Sequence, residues 1–160
     1  MHQLSMHSPY GDLTLFADDD ALLALDWGWA PDQAPSPLLR EAKRQLDAYF
    51  DGDLQAFDLP LDPAGTPFQQ RVWQEMQKIP YGKTTTYGEM AQLLNTAAQP
   101  LGSACGANPL PIIIPCHRVL ATGDGLGGYS GEGGTATKKA LLVLEGALLL
   151  EVPDLFSYSP

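Results

Sequence analysis

The chain has 160 residues, 44% of them hydrophobic and 18% charged, a globular composition long enough for one domain or two small ones. No apolar run approaches the roughly 20 residues a membrane helix needs, and the opening Met1-His2-Gln3-Leu4-Ser5-Met6 lacks the basic and apolar segments of a secretion signal. Two cysteines, Cys105 and Cys116, exclude a disulfide scaffold and a four-cysteine zinc site, so a reducing, cytoplasmic setting is expected.

Nine Lys and Arg against 19 Asp and Glu give a net charge of −10, which for the whole chain argues against a nucleic-acid ligand. The charge is unevenly spread. Residues 1–63 hold 12 acids and 3 bases, whereas residues 64–160 hold 7 acids and 6 bases. Two regions with different surface roles are predicted, 1–63 and 64–160, and a polyanion would have to meet the second.

In chain order, residues 3–8, 13–17 and 21–27 read as short strands around turns at Pro9-Tyr10-Gly11-Asp12 and Asp18-Asp19-Asp20. Residues 37–50 have apolar side chains at Leu38, Leu39, Ala42, Leu46, Tyr49 and Phe50, the spacing of a helix. Residues 59–65, with two prolines and a glycine, form the predicted linker. Thr66 caps the next helix with Pro67 at its first position, and Phe68, Val72, Met76 and Ile79 line one face. Thr86-Tyr87-Gly88-Glu89 has capping-box spacing and opens a short helix with Met90, Leu93 and Leu94 inward. A small-residue segment, 97–107, supplies the second helix of a predicted helix-turn-helix. An apolar run, Ile112-Ile113-Ile114, leads to Pro115-Cys116-His117-Arg118-Val119, a glycine-rich loop over 123–134, and a last helix over 135–145 closed by Gly146.

Cys116 carries the chemistry. It follows a proline and precedes a histidine, and a thiol attacks as thiolate, which an imidazole and a helix N-terminus can favour. Glu145, at the end of the last helix, is the candidate to orient His117. From residue types alone, a buried inert cysteine beside a surface histidine is the commoner case. His2 and His7 have no cysteine partners and read as surface residues, and no metal or cofactor is expected. Cys105 reads as packing.

The wider string shifts that balance. Asn108-Pro109, Ile112-Ile113-Ile114 and Pro115-Cys116-His117-Arg118-Val119 resemble the active-site signature of the O6-alkylguanine-DNA alkyltransferases. Thr66 to Trp73, Ile79-Pro80-Tyr81-Gly82, Tyr87-Gly88-Glu89, Gly128-Tyr129-Ser130-Gly131 and Leu144-Glu145-Gly146 fall in that family's order and near its spacing. The resemblance implies an α+β protein. A ribonuclease H-like antiparallel sheet with a helix comes first, then a helix-turn-helix, winged-helix-like domain carrying the cysteine. It implies a monomer that flips the damaged guanine from double-stranded DNA through the minor groove and moves the alkyl group irreversibly to Cys116. By matching position, His117 would be a general base acting through water, Glu145 its orienter, Tyr87 a donor to the departing purine, and Asn108 a brace for the turn. Leu126, Tyr129, Ser130 and Gly131 would hold the guanine, with Pro111 and Met90 as pocket walls. Ala97, Ala98, Gln99, Gly102, Ser103, Arg118 and Lys138 would meet the DNA.

Two features bear on that last role. The family has an arginine where this chain has Gln99, followed by Pro100, so weak and salt-sensitive duplex binding is expected. Gln99 could instead cap its own helix through Thr96, and the small residues could equally serve close helix packing. A lesion-sensing protein without duplex repair and a Cys–His hydrolase are the competing readings.

Overall fold

Alternating side chains and two tight turns set the front of the chain into an antiparallel sheet, β1 (His2–Met6), β2 (Leu13–Ala17) and β3 (Leu22–Trp27), in the order β1-β2-β3. The structure is a computed structural model, and residues 1–121 and 135–148 are described. Leu13, Leu15 and Ala17 are buried on one sheet face. The pairing of β2 with β3 skips Leu23, so Leu22 and Leu25 share the buried face although they are three apart. On that face lies α1 (Pro37–Phe50), which Ser36 caps by accepting from Leu39 N and which Pro37 starts. Its buried side includes Leu39, Ala42, Leu46, Tyr49 and Phe50, as the spacing predicted.

The linker is strapped to the sheet. Leu22 N donates to Pro60 O and Asp62 N to Leu22 O, both at 2.8 Å. Further along β3, Leu25 N donates to Pro109 O at 2.8 Å, a direct tie to the second half of the chain. The predicted start of α2 (Pro67–Met76) is completed by a reciprocal pair: Thr66 accepts from Gln69 N, and the Gln69 side chain accepts from Thr66 N. Val72, Trp73 and Met76 are buried. Gly65 is required just before it, because a Cβ there would lie 2.4 Å from the Trp73 ring.

Next come β4 (Thr85–Thr86), α3 (Tyr87–Leu93) and α4 (Ala98–Gly106), the last two forming the helix-turn-helix. Thr86 caps α3 by accepting from Glu89 N at 3.0 Å. Met90 and Leu94 are buried as predicted, but Leu93 is 66% exposed. The buried arc of α3 centres on Met90, Ala91 and Leu94, and at about 100° per residue Leu93 falls well off it. A short β5 (Val119–Leu120) pairs parallel with β4, a ladder too brief for any periodicity to announce. Finally α5 (Thr135–Leu144) is closed by Gly146, whose φ of +77° turns the next N–H, that of Ala147, back to Leu142 O at 2.9 Å.

One hydrophobic core runs through both halves, from Leu15 and Leu22 through Tyr49, Val72 and Met76 to Ile114 and Leu141. No helix among the described residues is long and apolar enough to cross a membrane. The helix-turn-helix is held to α2 by the Trp73 indole, whose Nε1 donates to Ala104 O at 2.9 Å. Trp73→Phe keeps much of the apolar contact and leaves that buried carbonyl unpaired, so urea unfolding should show a loss of about 1–3 kcal/mol.

Candidate active site

Asn108 builds the reacting turn. Its Nδ2 donates to Ile114 O at 2.8 Å while its Oδ1 accepts from Leu110 N at 2.9 Å, clamping the segment between them from both ends. Ile114 N also donates to Leu110 O at 2.8 Å. The apolar run is therefore a tight turn, and Ile112 sits in it at φ +76°. A β-branched residue in that region is strained, and only fixed surroundings keep it there. Ile112 and Ile114 are buried, which supplies such surroundings.

The turn feeds a single 3-10 turn, Cys116–Arg118, closed by Arg118 N donating to Pro115 O at 3.0 Å. Three residues per turn send consecutive side chains in three directions. All three are buried here. His117 and Arg118 both reach Glu145, which the end of α5 holds in the interior. His117 Nε2 lies 2.7 Å from Glu145 Oε2, Arg118 Nη2 donates to Oε2 at 2.9 Å, and Arg118 Nε donates to Oε1 at 2.8 Å. Arg118 Nη1 donates to Ile79 O at 2.7 Å, and Tyr49 Oη donates to Glu145 Oε2 at 2.5 Å.

The ionisation of these groups follows. Burial pushes the Glu145 carboxyl up, but donors from His117, Arg118 and Tyr49 outweigh it and hold it down at about 2. Glu145 is therefore an ionised acceptor, and His117 must present Nε2–H to it. His117 Nδ1 then bears the lone pair; it is buried and has no partner among the described residues. Burial lowers the His117 pKa despite Glu145, so the imidazole is a neutral base. Cys116 was expected to be acidified by its imidazole neighbour and a helix end. Instead its near-complete burial pushes the thiol up to about 11, against opposing pulls from Asn108 and Lys138. Such a thiol does not ionise unaided near neutral pH. Its proton needs a receiver when it reacts, and His117 is the adjacent residue.

The other predicted site residues divide clearly. Tyr87 opens α3, half-buried, and burial pushes its phenol up to about 12, leaving it a donor. Met90 and Pro111 are buried. Leu126, Tyr129, Ser130 and Gly131 lie outside the described residues. Ala97, Ala98, Gln99 and Ser103 are exposed and Gly102 half-buried, so these small residues form a surface rather than a helix-packing face. Gln99 has no cap from Thr96: the N-cap is Ala97, without a side-chain bond. Pro100 is the third residue of α4, where its missing N–H is one of the helix's unpaired donors anyway, and Leu101 N still reaches Ala97 O.

Arg118 and Lys138 require correction as phosphate contacts. Arg118 is buried and committed to Glu145 and Ile79 O. Lys138 is fully buried, its Nζ donating to Val119 O at 2.7 Å and standing 5.7 Å over the Tyr87 ring. Its charge faces the thiols rather than solvent, and burial lowers its own pKa. Cys105 is buried against Met76, and His2 and His7 pair with Asp19 and Asp12. Tyr49 was read only as a core residue. Helical spacing marked it as buried, but nothing local in the sequence shows where its hydroxyl points.

Fold and site together define a group-transfer protein that mounts a buried cysteine, backed by an imidazole–carboxylate pair, beside a helix-turn-helix. Residues 67–147 match the family profile of the 6-O-methylguanine DNA methyltransferase DNA binding domain, and residues 1–63 that of the family's ribonuclease-like domain. The chain belongs to the 6-O-methylguanine DNA methyltransferase family. The methylated-DNA–protein-cysteine methyltransferase of Mycobacterium leprae is 42% identical to it over 168 residues, covering 98% of this chain and 99% of that one. The corresponding protein of Methanosarcina acetivorans is 39% identical over 157 residues, 92% of this chain and 99% of its own. Mycobacterium tuberculosis OGT, solved in complex with DNA, matches with a TM-score of 0.82 at 43% identity, covering 92% of this chain and 94% of that one.

Glu145 should dominate acid stability. Its folded pKa of about 2 lies below the ordinary 4.5, so its contribution is complete above 4.5 and is lost as pH falls from there towards 2. Glu145→Gln leaves Arg118 buried without its anion and should cost about 3–5 kcal/mol at pH 7. Thermal melts of both proteins should converge between pH 4.5 and 2.

Proposed function

We propose that this protein repairs O6-alkylguanine in double-stranded DNA by transferring the alkyl group irreversibly to Cys116, once per molecule, in the cytoplasm. The observation that carries this reading is the buried Cys116-His117 turn whose imidazole is held through Nε2 by an ionised Glu145. Cys116 Sγ attacks the alkyl carbon in line with the departing oxygen. The S–C bond forms as the C–O6 bond breaks, and the thiol proton passes through a water towards His117 Nδ1. The purine leaves with the bonding electron pair, and the Tyr87 phenol offers it a hydrogen bond. Lys138 steadies the sulfur's developing charge. The thioether product is not hydrolysed, so no second turnover follows.

Residues 64–160 carry the reaction and DNA contact, and residues 1–63 buttress them. DNA meets the exposed N-terminal end of α4 through its minor groove, Ala97, Ala98, Gln99 and Ser103 being the surface available there. With Arg118 and Lys138 withdrawn to the interior, that surface is nearly uncharged, which supports weak duplex binding and removes most of the expected salt sensitivity. The methylated-DNA–protein-cysteine methyltransferases of Mycobacterium leprae and Methanosarcina acetivorans favour repair over lesion sensing alone.

Incubation with O6-benzylguanine should raise the intact mass by one benzyl group, on Cys116, and leave Cys116→Ser unmarked. A label on Cys105 or repeated turnover would overturn the reading. His117→Ala should slow that labelling by about 10²-fold. Because Pro100 is accommodated in the first turn of α4, Gln99→Arg alone should speed repair of duplex O6-methylguanine and leave the free-base rate unchanged. Comparing the two rates at low and high salt checks this.

A further inference from the structure

Tyr49 lies in α1, on the opposite side of the linker from the reacting turn, yet it is fully buried and its hydroxyl donates to Glu145 Oε2 at 2.5 Å. That is the same oxygen that receives the His117 Nε2 proton. The ring is wedged among Phe50, Phe57 and Tyr81, with centroids 5.5, 5.3 and 6.2 Å away, so the hydroxyl has little freedom to turn elsewhere. Filling that space would need only a phenylalanine, and a buried hydroxyl is stabilising only where it is paired. Burial first, then the charge of Glu145, holds the phenol well above its ordinary range, so Tyr49 stays a donor.

We propose that Tyr49 is a positioning residue for the alkyl transfer: by donating to Glu145 Oε2 it sets how firmly that carboxylate holds His117, and therefore how readily Nδ1 takes the thiol proton. This inference rests on the relay in the proposed function. Oε2 is shared among three donors, Tyr49 Oη, His117 Nε2 and Arg118 Nη2, and each leaves it less to give the others. Without the hydroxyl, Oε2 turns more fully to the imidazole and stabilises its protonated form, so His117 should charge at a higher pH. The other groups facing the pair are unchanged by that loss. They are Arg118 on both Glu145 oxygens, Tyr81 stacked 5.8 Å from the Arg118 guanidinium, Lys138 of α5 and the Cys116 thiol. The relay is thus completed by a residue from the front of the chain, and the reaction depends on that front being seated.

The test compares wild type, Tyr49→Phe and Phe57→Leu. In Tyr49→Phe the acid limb of the O6-benzylguanine labelling rate should move up by about one pH unit, a roughly tenfold slowing on that limb. The His117 ring titration, followed by NMR without any alkyl donor, should move the same way. Phe57→Leu thins the packing around Tyr49 but keeps its hydroxyl, so it should lower Tm and leave both midpoints in place. Unmoved midpoints in Tyr49→Phe, or an equal shift in Phe57→Leu, would overturn the proposal. A wild-type protein that takes no label would instead overturn the alkyl-transfer reading, and the titration would still decide the part played by Tyr49.

Discussion

The Glu145 carboxylate receives four donors among the described residues, and the arrangement of the site depends on it. Those donors come from two parts of the chain, Tyr49 from α1 and His117 and Arg118 from the 3-10 turn, while the acceptor directly follows α5. A carboxylate inside a protein is costly unless it is charge-compensated and fully hydrogen-bonded. Arg118 supplies the charge, and the other donors fill what it leaves. The same pairing removes Arg118 from the surface, which is why the region next to the cysteine contributes less positive charge than its sequence suggests.

Burial has opposite consequences for the two groups that would exchange a proton. It raises the Cys116 thiol and lowers the His117 imidazole, so the resting pair is thiol and neutral base. A buried neutral thiol is protected from casual oxidation and from stray electrophiles, because thiolate character governs both. Reactivity then requires an alkyl donor held in place while the proton moves. The strained Ile112 turn and its Asn108 clamp fit this requirement, since they fix the direction of Cys116 at the cost of an unfavourable backbone.

Much of this was legible in the sequence because it was locally encoded. The spacing of Leu39, Ala42, Leu46 and Tyr49 gave α1 its bounds, and Thr66-Pro67 and Thr86 marked the starts of α2 and α3. The pairing of His117 with Glu145 followed from the need of an imidazole for an orienting acid. What escaped was what distance in sequence conceals. Tyr49 looked like any other apolar-face residue, and only the packing of α1 against the turn reveals its hydroxyl as a donor 96 residues away from its acceptor. Arg118 and Lys138 were expected to meet the DNA, and burial in partnership with Glu145 and the Val119 carbonyl reversed that. The run Ile112-Ile113-Ile114 is apolar enough for a strand, yet the Asn108 clamp folds it into a turn.

The central claim is that an ionised Glu145 holds His117 with its proton on Nε2, leaving Nδ1 as the base for Cys116. The most direct measurement is the ¹⁵N spectrum of the His117 ring at neutral pH, which distinguishes a protonated from a bare nitrogen at each position. The account expects a neutral ring with hydrogen on Nε2 and none on Nδ1. A ring carrying its hydrogen on Nδ1, or carrying two, would contradict it.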